Sequence, residues 1–453
     1  MELKDTPLWH EITAIAFDNA TKPPAVGWKV DFLTEGNKIR PMKLLSATVV
    51  RDFRQSYGDE IMIEVMIGAG DFVYDIYPYR RDLKVMLTRE AGVDGERGPG
   101  YTPDIETQEL RAILMDDYSV TVEGHLNNTH SKSALNLTEI MTVRFQLLDL
   151  TLERLRLHAV GGLFRDVSPA EVLEYILTTV STPLDLDETN KIKGVQMVES
   201  PNTDKHRHII IPHGTKVPNV PHYLHKKVGG IYASGLGVYL FKQYWYVYPL
   251  YDLTRYDSTI KTLTLINVPK NQFPGIERTF RKTANQTIAL ITGEVKHSDR
   301  SQSQLLNQGN GARYLDARNV IDGFADTSGG DNKAVVSRQS NNNEFVTDES
   351  PTGLENVQMA SSRITANKFA ELSKLAQRAG SEIQCVWENS DMGAIYPGMP
   401  VKYMYVKDDQ VHELKGVVLA AQHYIQTHGV GMADSRHRVD TALHLFVSRE
   451  QTS

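Results

Sequence analysis

The chain has 453 residues, 41% apolar and 23% charged, with a formal net charge of −7 and a slightly negative mean hydropathy. That length holds two to four domains at roughly 100–200 residues each, and the composition is that of a packed soluble protein. The acidic balance argues against a duplex nucleic-acid partner: neutralising phosphates takes clustered Lys and Arg, and no basic run exceeds short pairs such as Arg80-Arg81 and Lys226-Lys227.

One cysteine, Cys385, allows no intrachain disulfide and disfavours a cysteine-based metal site. Packing alone must hold the fold, as suits assembly in a reducing cytoplasm. The start, Met1-Glu-Leu-Lys-Asp-Thr-Pro7, carries no apolar stretch behind a basic end, so no signal peptide is expected. No uncharged apolar run reaches about 18 residues, so no membrane span is expected.

Residues 1–165 read mainly as strands. Ile61, Ile63, Val65 and Ile67 alternate along one stretch, Tyr118, Val120 and Val122 along a second, and Met141, Val143, Phe145 and Leu147 along a third. Period two with β-branched and aromatic residues marks half-buried strands. Turn residues at Gly68–Asp71 and Gly92–Gly100 punctuate them, which suggests a barrel or sandwich; a barrel-like domain is expected over 1–165. Leu148–His158 fits either a last strand or a short helix.

At Ser168 the pattern changes. Ser168-Pro169-Ala170-Glu171 is a capping box with proline at the first helical position, followed by an apolar stripe of Val172, Leu173, Ile176, Leu177 and Val180. A second helix is expected from Asn219, with Pro221 early and a stop at Gly229-Gly230. A strand pair follows, Val238–Phe241 and Tyr244–Leu250, making residues 166–270 a small α/β domain.

Residues 297–350 differ: 23 of the 54 are Asn, Gln, Ser or Gly. Apolar side chains are too sparse there to offset the ordering entropy of an independent core. Residues 271–354 are therefore expected to be an extended polar segment, ordered by neighbouring chains. Beyond it, Thr365 can cap a helix carrying Phe369, Leu372, Leu375 and Ala376, ended by Gly380. Four strands are predicted next, Glu382–Trp387, Val401–Val406, Leu414–Thr427 and Val439–Ser448, forming a second barrel-like domain over 355–453. The fold class is thus α+β and mostly β, with two barrel-like domains flanking a small α/β domain and a long polar excursion.

Signatures of catalysis are absent from the sequence: it has no P-loop, no Gly-x-Ser-x-Gly elbow and no His-Glu-x-x-His pair. Cys385, inside a predicted strand, reads as core in preference to nucleophile. His206 and His208 share one face of a strand, with His213 and Asp204 nearby, a usable metal geometry. The favoured reading is a polar strand edge leading into Ile209–Ile211, since no acid at metalloenzyme spacing follows. The run Tyr239–Tyr256 could form a carbohydrate platform, but its alternation favours core or a subunit interface. No catalytic residue, cofactor or metal site is assigned.

Four features in this order resemble a known family: the Ser168-Pro-Ala-Glu-Val-Leu173 helix, Val228-Gly-Gly-Ile-Tyr232, the strand pair with Tyr239-Leu-Phe241 and Trp245-Tyr-Val-Tyr-Pro249, and the turn Tyr396-Pro-Gly-Met-Pro-Val401. The tail hub proteins of contractile bacteriophages share this order of parts over most of the chain, with packing and turn residues for motifs. The resemblance implies a structural virion protein, assembled in the host cytoplasm, and no enzyme. It implies a homotrimer whose subunits each supply two similar barrels, giving a nearly sixfold ring between the hexameric tail tube protein and a central spike protein. The polar segment departs from the simplest hubs; an arm touching the spike, tube or other baseplate proteins is expected. The alternatives are a tail-associated cell-wall hydrolase and a carbohydrate- or receptor-binding tail protein.

Overall fold

A computed structural model describes residues 8–16, 26–91, 104–115, 139–268 apart from 185 and 189, 279–298, five short strands between 312 and 359, scattered residues of 369–380, and 381–407, 410–427 and 436–448. In chain order the elements begin with α1 (Leu8–Ala16), β1 (Val26–Thr34), β2 (Asn37–Ile39), β3 (Lys43–Asp52), β4 (Glu60–Gly68), β5 (Lys84–Ala91), β6 (Asp104–Leu114) and β7 (Ile140–Asp149). Next come α2 (Leu150–Leu157), β8 (Ala159–Phe164), α3 (Pro169–Ser181), β9 (Gly194–Met197), β10 (Ile209–Lys216), α4 (Val220–Lys227), β11 (Leu236–Phe241) and β12 (Tyr244–Pro249). Then follow β13 (Thr262–Asn267), β14 (Phe280–Lys282), β15 (Gln286–Ile291), β16 (Val295–Ser298), β17 (Ala312–Asp316), β18 (Thr327–Ser328), β19 (Val336–Ser340), β20 (Asn343–Thr347) and β21 (Glu355–Met359). The last are β22 (Ser381–Trp387), β23 (Pro400–Lys407), β24 (Gln410–Thr427) and β25 (Arg436–Val447).

Antiparallel pairing runs β24–β3–β4–β7–β6–β5–β1–β25 and returns to β24, a closed circuit of eight strands. Alternate residues point into it. Val30, Phe32, Val49, Ile63, Val65, Val85, Ala112, Val143, Phe145 and Ile425 are each at most 2% exposed, and Phe32 and Phe145 meet with ring centroids 4.9 Å apart. The period-two patterns of β4 and β7 are thus the inward and outward faces of one ring.

A second set of eight runs β14–β15–β13–β23–β24–β25–β22–β16. Here β13 lies parallel to both β15 and β23. Its core holds Leu263, Leu265, Ala289, Ile291, Val401, Cys385, Trp387 and Leu445. On the other face of β13, β15 and β23, helix α1 packs Leu8, Ile12 and Ile15 against Ile266, Ile288, Leu290 and Met404. Strands buried on both faces become continuous apolar runs. That is why a search for alternation passed over 262–267 and 286–291, and why 280–298 belong to this set although the sequence reading began the polar segment at 271.

Strands β24 and β25 serve both sets. β24 pairs with β23 over Gln410–Val417 and with β3 over Ala420–Gln426. Its register slips between Val418 and Ala420, a bulge of the kind that bends a strand from one sheet into another. At that bend Phe53 N donates to Leu419 O at 3.0 Å, and Val418 N donates to Met399 O at 3.0 Å.

The α/β unit follows its local signals. Ser168 N donates to Glu171 Oε2 at 2.7 Å and Glu171 N to Ser168 Oγ at 3.3 Å, while Val172, Leu173, Ile176 and Leu177 are buried. The ambiguous 148–158 resolves as the end of β7 followed by α2, because the Asp149 carboxylate accepts from Leu152 N at 3.0 Å and starts a helix. Strand β12 pairs antiparallel with β11 and parallel with β9, and β8 with β10 forms a separate ribbon. The stretches predicted at 118–122, at Gly92–Gly100 and over most of 365–380 lie outside the described residues. The five strands β17–β21 pair only with one another among the described residues. No helix among the described residues is long and apolar enough to cross a membrane.

Candidate functional site at the joint of the three units

Hairpin β11–β12 is buried on both faces. Val238, Leu240, Trp245 and Val247 pack with Leu173, Ile176, Leu177 and Leu224 of the helices, and Trp245 Nε1 donates to Ser181 Oγ at 3.0 Å. Tyr239, Phe241, Tyr246 and Tyr248 turn the other way, into the core of the second strand set. The aromatic run is therefore a tenon between two units, which leaves no open platform of rings for a sugar.

Two of the segments that carried the family resemblance, the hairpin strand with Tyr248 and the turn with Gly398, meet there. A Cβ on Gly237 would lie 2.3 Å from Tyr248 Cε2, and one on Gly398 would lie 2.5 Å from Tyr248 Cδ2. Both backbones therefore lie against the ring, and glycine is needed at each place. Gly398 also has φ +68°, which costs a side chain about 1–2 kcal/mol. Arg255 Nη1 donates to Gly398 O at 3.0 Å and fixes the turn. Burial pushes the Tyr248 phenol far above its ordinary pKa, so it stays neutral.

Two arginines that sequence reading missed tie the units together. Arg51 on β3 shares the inward face with Val49 and is 2% exposed. Its Nε donates to Asp59 at 3.1 Å, and its Nη1 donates to Met392 O at 2.9 Å and Ile395 O at 3.1 Å. Its guanidinium also lies 4.7 Å from the centre of the Phe241 ring, and Tyr239 Oη donates to Asp59 Oδ1 at 2.9 Å. Arg89 on β5 pairs with Glu106 at 3.2 Å and Asp391 at 3.7 Å, while Lys242 reaches Glu106 at 3.2 Å and Lys282 reaches Asp391 at 2.7 Å. Burial alone would raise the Asp391 carboxyl, but Lys282 and Arg89 hold it below its ordinary value. The signal available in sequence was an arginine two positions after Val49, and another two after Leu87, on inward faces. Buried pairs of this kind add little net stability, but breaking one costs about 3–5 kcal/mol, so the network fixes how the units sit together.

Beside this network lies a cavity of about 520 Å³ between the end of the first ring, the start of α2 and the hairpin tip. Trp28, Leu87, Leu110 and Met392 give it an apolar floor, and Asp59, Gln108, Asp149 and Asn190 line its polar side. Asp149 accepts from Gln108 Nε2 at 2.9 Å. Burial first, and the nearby Asp59 charge second, raise its pKa.

The remaining sequence candidates are dispersed. His206 is held by its backbone against Val167, with His206 N donating to Val167 O at 2.9 Å, and its Nε2 sits where a Cβ on Gly229 would lie 2.7 Å away. His208, His213 and Asp204 are exposed. Among the described residues no group of three His, Cys, Asp or Glu could hold a metal ion. Cys385 faces the second core, and burial pushes its thiol up to about 12, which suits packing and not nucleophilic attack.

No protein-family model matches the chain, and no curated protein sequence does. Solved structures do. The tail protein from Neisseria meningitidis MC58 is 10% identical, with a TM-score of 0.45, covering 93% of this chain and 96% of that one. The prophage MuSo2 43 kDa tail protein from Shewanella oneidensis is 10% identical, with a TM-score of 0.46, covering 92% of this chain and 98% of that one. In the lidded PdpA-VgrG complex of Francisella the identity is 8% and the TM-score 0.46, covering 98% of this chain and 56% of that one. Across more than nine-tenths of its length, this chain is similar to solved tail proteins.

Proposed function

We propose that this chain is a structural hub subunit of a phage tail baseplate, forming a homotrimeric ring that adapts a hexameric tail tube to a central spike. The observation that carries the reading is duplication within one chain. Two eight-stranded sets, read as two barrels, stand side by side on the shared strands β24 and β25. Three copies of such a subunit supply six barrels, so threefold symmetry below can meet sixfold symmetry above through ring-closing contacts. The interlocked joint supports this, since a subunit that transmits geometry must hold its own two barrels in fixed relation. Along the chain, 1–165 and 355–453 supply most of the two barrels, 166–270 the α/β unit and 271–354 the excursion, with 262–267 and 280–298 strands of the second barrel. The self-paired strands β17–β21 fit an arm that reaches other baseplate, spike or tube proteins.

Light scattering on the purified chain tests the reading: a mass three times 50.9 kDa is expected, with ring-shaped particles in electron micrographs. A monomer at micromolar concentration over a range of salt would count against it. Deleting 305–345 should spare folding and impair particle assembly; normal infectious particles from that deletion would dispose of the arm. One observation favours a second reading as a cell-wall hydrolase, namely the raised Asp149 carboxyl facing Asp59 in a cavity. It ranks second because Asp149 is engaged by Leu152 N and Gln108, and Asp59 by Arg51 and Tyr239. Peptidoglycan clearing that Asp149→Asn abolishes would reverse that order.

A further inference from the structure

The ribbon of β8 and β10 breaks the rule that a strand pair with one solvated face turns polar side chains outward. Ile209 and Ile211 are buried and, with Val160 and Phe164, pack into the core of the α/β unit. On the opposite face Ile210 stands directly across from Leu163, and the two are 61% and 49% exposed. Leu157 is exposed where α2 runs into the ribbon. Arg156, Arg165, Arg207 and Lys216 flank this face and are exposed, with the acids Asp166 and Asp204 also exposed there. None of the four cations forms an ion pair among the described residues, whereas Arg40, Arg51, Arg89, Arg111 and Arg144 of the first ring all do. Apolar side chains flanked by unengaged arginines have the composition of a contact surface.

A surface of matching chemistry lies on the first ring of the same chain. Residues 1–149 hold 24 Asp and Glu against 16 Lys and Arg, which accounts for the whole negative balance of the protein. The ring has one end away from the α/β unit, where β4 closes on β7 at Gly68 and Ile140. There residues 69–83 cross from β4 to β5 and sink Phe72 and Ile76 into the core. Tyr74, 63% exposed, and Ile140 face outward beside the exposed acids Asp71, Asp75 and Glu139. Ala69 N donates to Glu139 O at 2.9 Å, so the two segments adjoin. None of these three acids forms an ion pair among the described residues; the cation Arg81 is exposed beside them. Ribbon and ring end are thus two apolar patches with opposite free charge at unlike places on one chain, which is what a ring-closing contact between identical subunits requires.

We infer that the outer face of the β8–β10 ribbon is one half of the contact between copies, seated on the acidic end of the first ring of the next subunit. The inference rests on the self-association proposed above and names where it happens. In that contact Leu163 and Ile210 meet Tyr74 and Ile140, while Arg165 and Arg207 answer Asp71 and Asp75. Charge complementarity selects the occupant, since the acids that the free arginines lack are carried by a second copy of this chain.

Light scattering on the full chain over a dilution series reads the dissociation constant. Leu163→Glu with Ile210→Glu, at sites exposed in the free subunit, should weaken assembly about thirtyfold or more with an unchanged urea midpoint. Arg165→Glu with Arg207→Glu should weaken it about tenfold or more. Adding Asp71→Arg with Asp75→Arg should restore it, and this swap serves if the first variant fails to fold. Wild-type trimers whose dissociation the folded variants leave unchanged, or a swap without rescue, would overturn the inference and leave the trimer standing. Assemblies other than trimers that the variants still dissolve and the swap restores would uphold it and overturn the trimer. A monomeric wild type would overturn both. Flotation with vesicles of phosphatidylcholine and phosphatidylserine, lost in the ribbon variants while the mass stays constant, would overturn it in favour of a membrane.

Discussion

Replacing Gly398 with alanine probes the joint where a left-handed turn lies against the Tyr248 ring. The added Cβ would lie 2.5 Å from Cδ2 and 2.6 Å from Cγ of Tyr248. The ring cannot retreat, because Gly237 backs it on another side and Tyr248 is 2% exposed. Overpacking costs about 1–3 kcal/mol and the left-handed φ about 1–2 kcal/mol, so Gly398→Ala should cost about 2–5 kcal/mol of a total that is typically about 5–15 kcal/mol. Gly36, with φ +81° and no atom within 4 Å of a built Cβ, isolates the backbone share: Gly36→Ala should cost only about 1–2 kcal/mol. Urea unfolding followed by tryptophan fluorescence measures both. In a Tyr248→Leu background the Gly398→Ala cost should fall to the backbone share, a coupling of about 1–3 kcal/mol. A Gly398→Ala cost below about 1 kcal/mol, or one equal in both backgrounds, would refute the idea that the ring is clamped.

Arg51→Lys should cost about 2–4 kcal/mol in the same assay, because an ammonium cannot span Asp59 and both loop carbonyls; a loss within about 0.5 kcal/mol would mean that the network holds nothing. His225 is 7% exposed, accepts from Ile231 N at 3.3 Å and has its pKa lowered by burial to about 4. Between pH 6.5 and 4 the unfolded chain therefore binds a proton that the folded chain excludes, and stability falls by about 3 kcal/mol as the pH is lowered. His225→Asn should make that slope shallower, with buried His423 still contributing to it, and an unchanged slope would reject the assignment. Asp149 has the opposite sign: its raised pKa means stability is lost as the pH rises from 3.8 through the folded value. Asp149→Asn, which keeps the helix cap, should thus be the more stable protein at pH 7, with the advantage disappearing below pH 3.8. Thermal unfolding across that range reads it directly.

Whatever depended on residues a few positions apart could be read from the sequence. The capping box at Ser168 and Glu171, the alternation of β4 and β7, and the stop at Gly229-Gly230 are local contests between backbone and side chain, and nothing distant overrules them. Tyr248 and Gly398, both quoted for the family resemblance, could be recognised as parts of a pattern, but their contact could not. The tertiary structure alone decided that β13 and β15 are buried on both faces, because helix α1 comes from more than 240 positions upstream to cover them. It also decided that β24 crosses from one strand set to the other at Leu419. Arg51 looked like any strand arginine until the carbonyl of Met392, 341 positions away, closed on it. Periodicity records which side of a strand is apolar; which partner fills that side is set by chain segments whose separation no local pattern encodes.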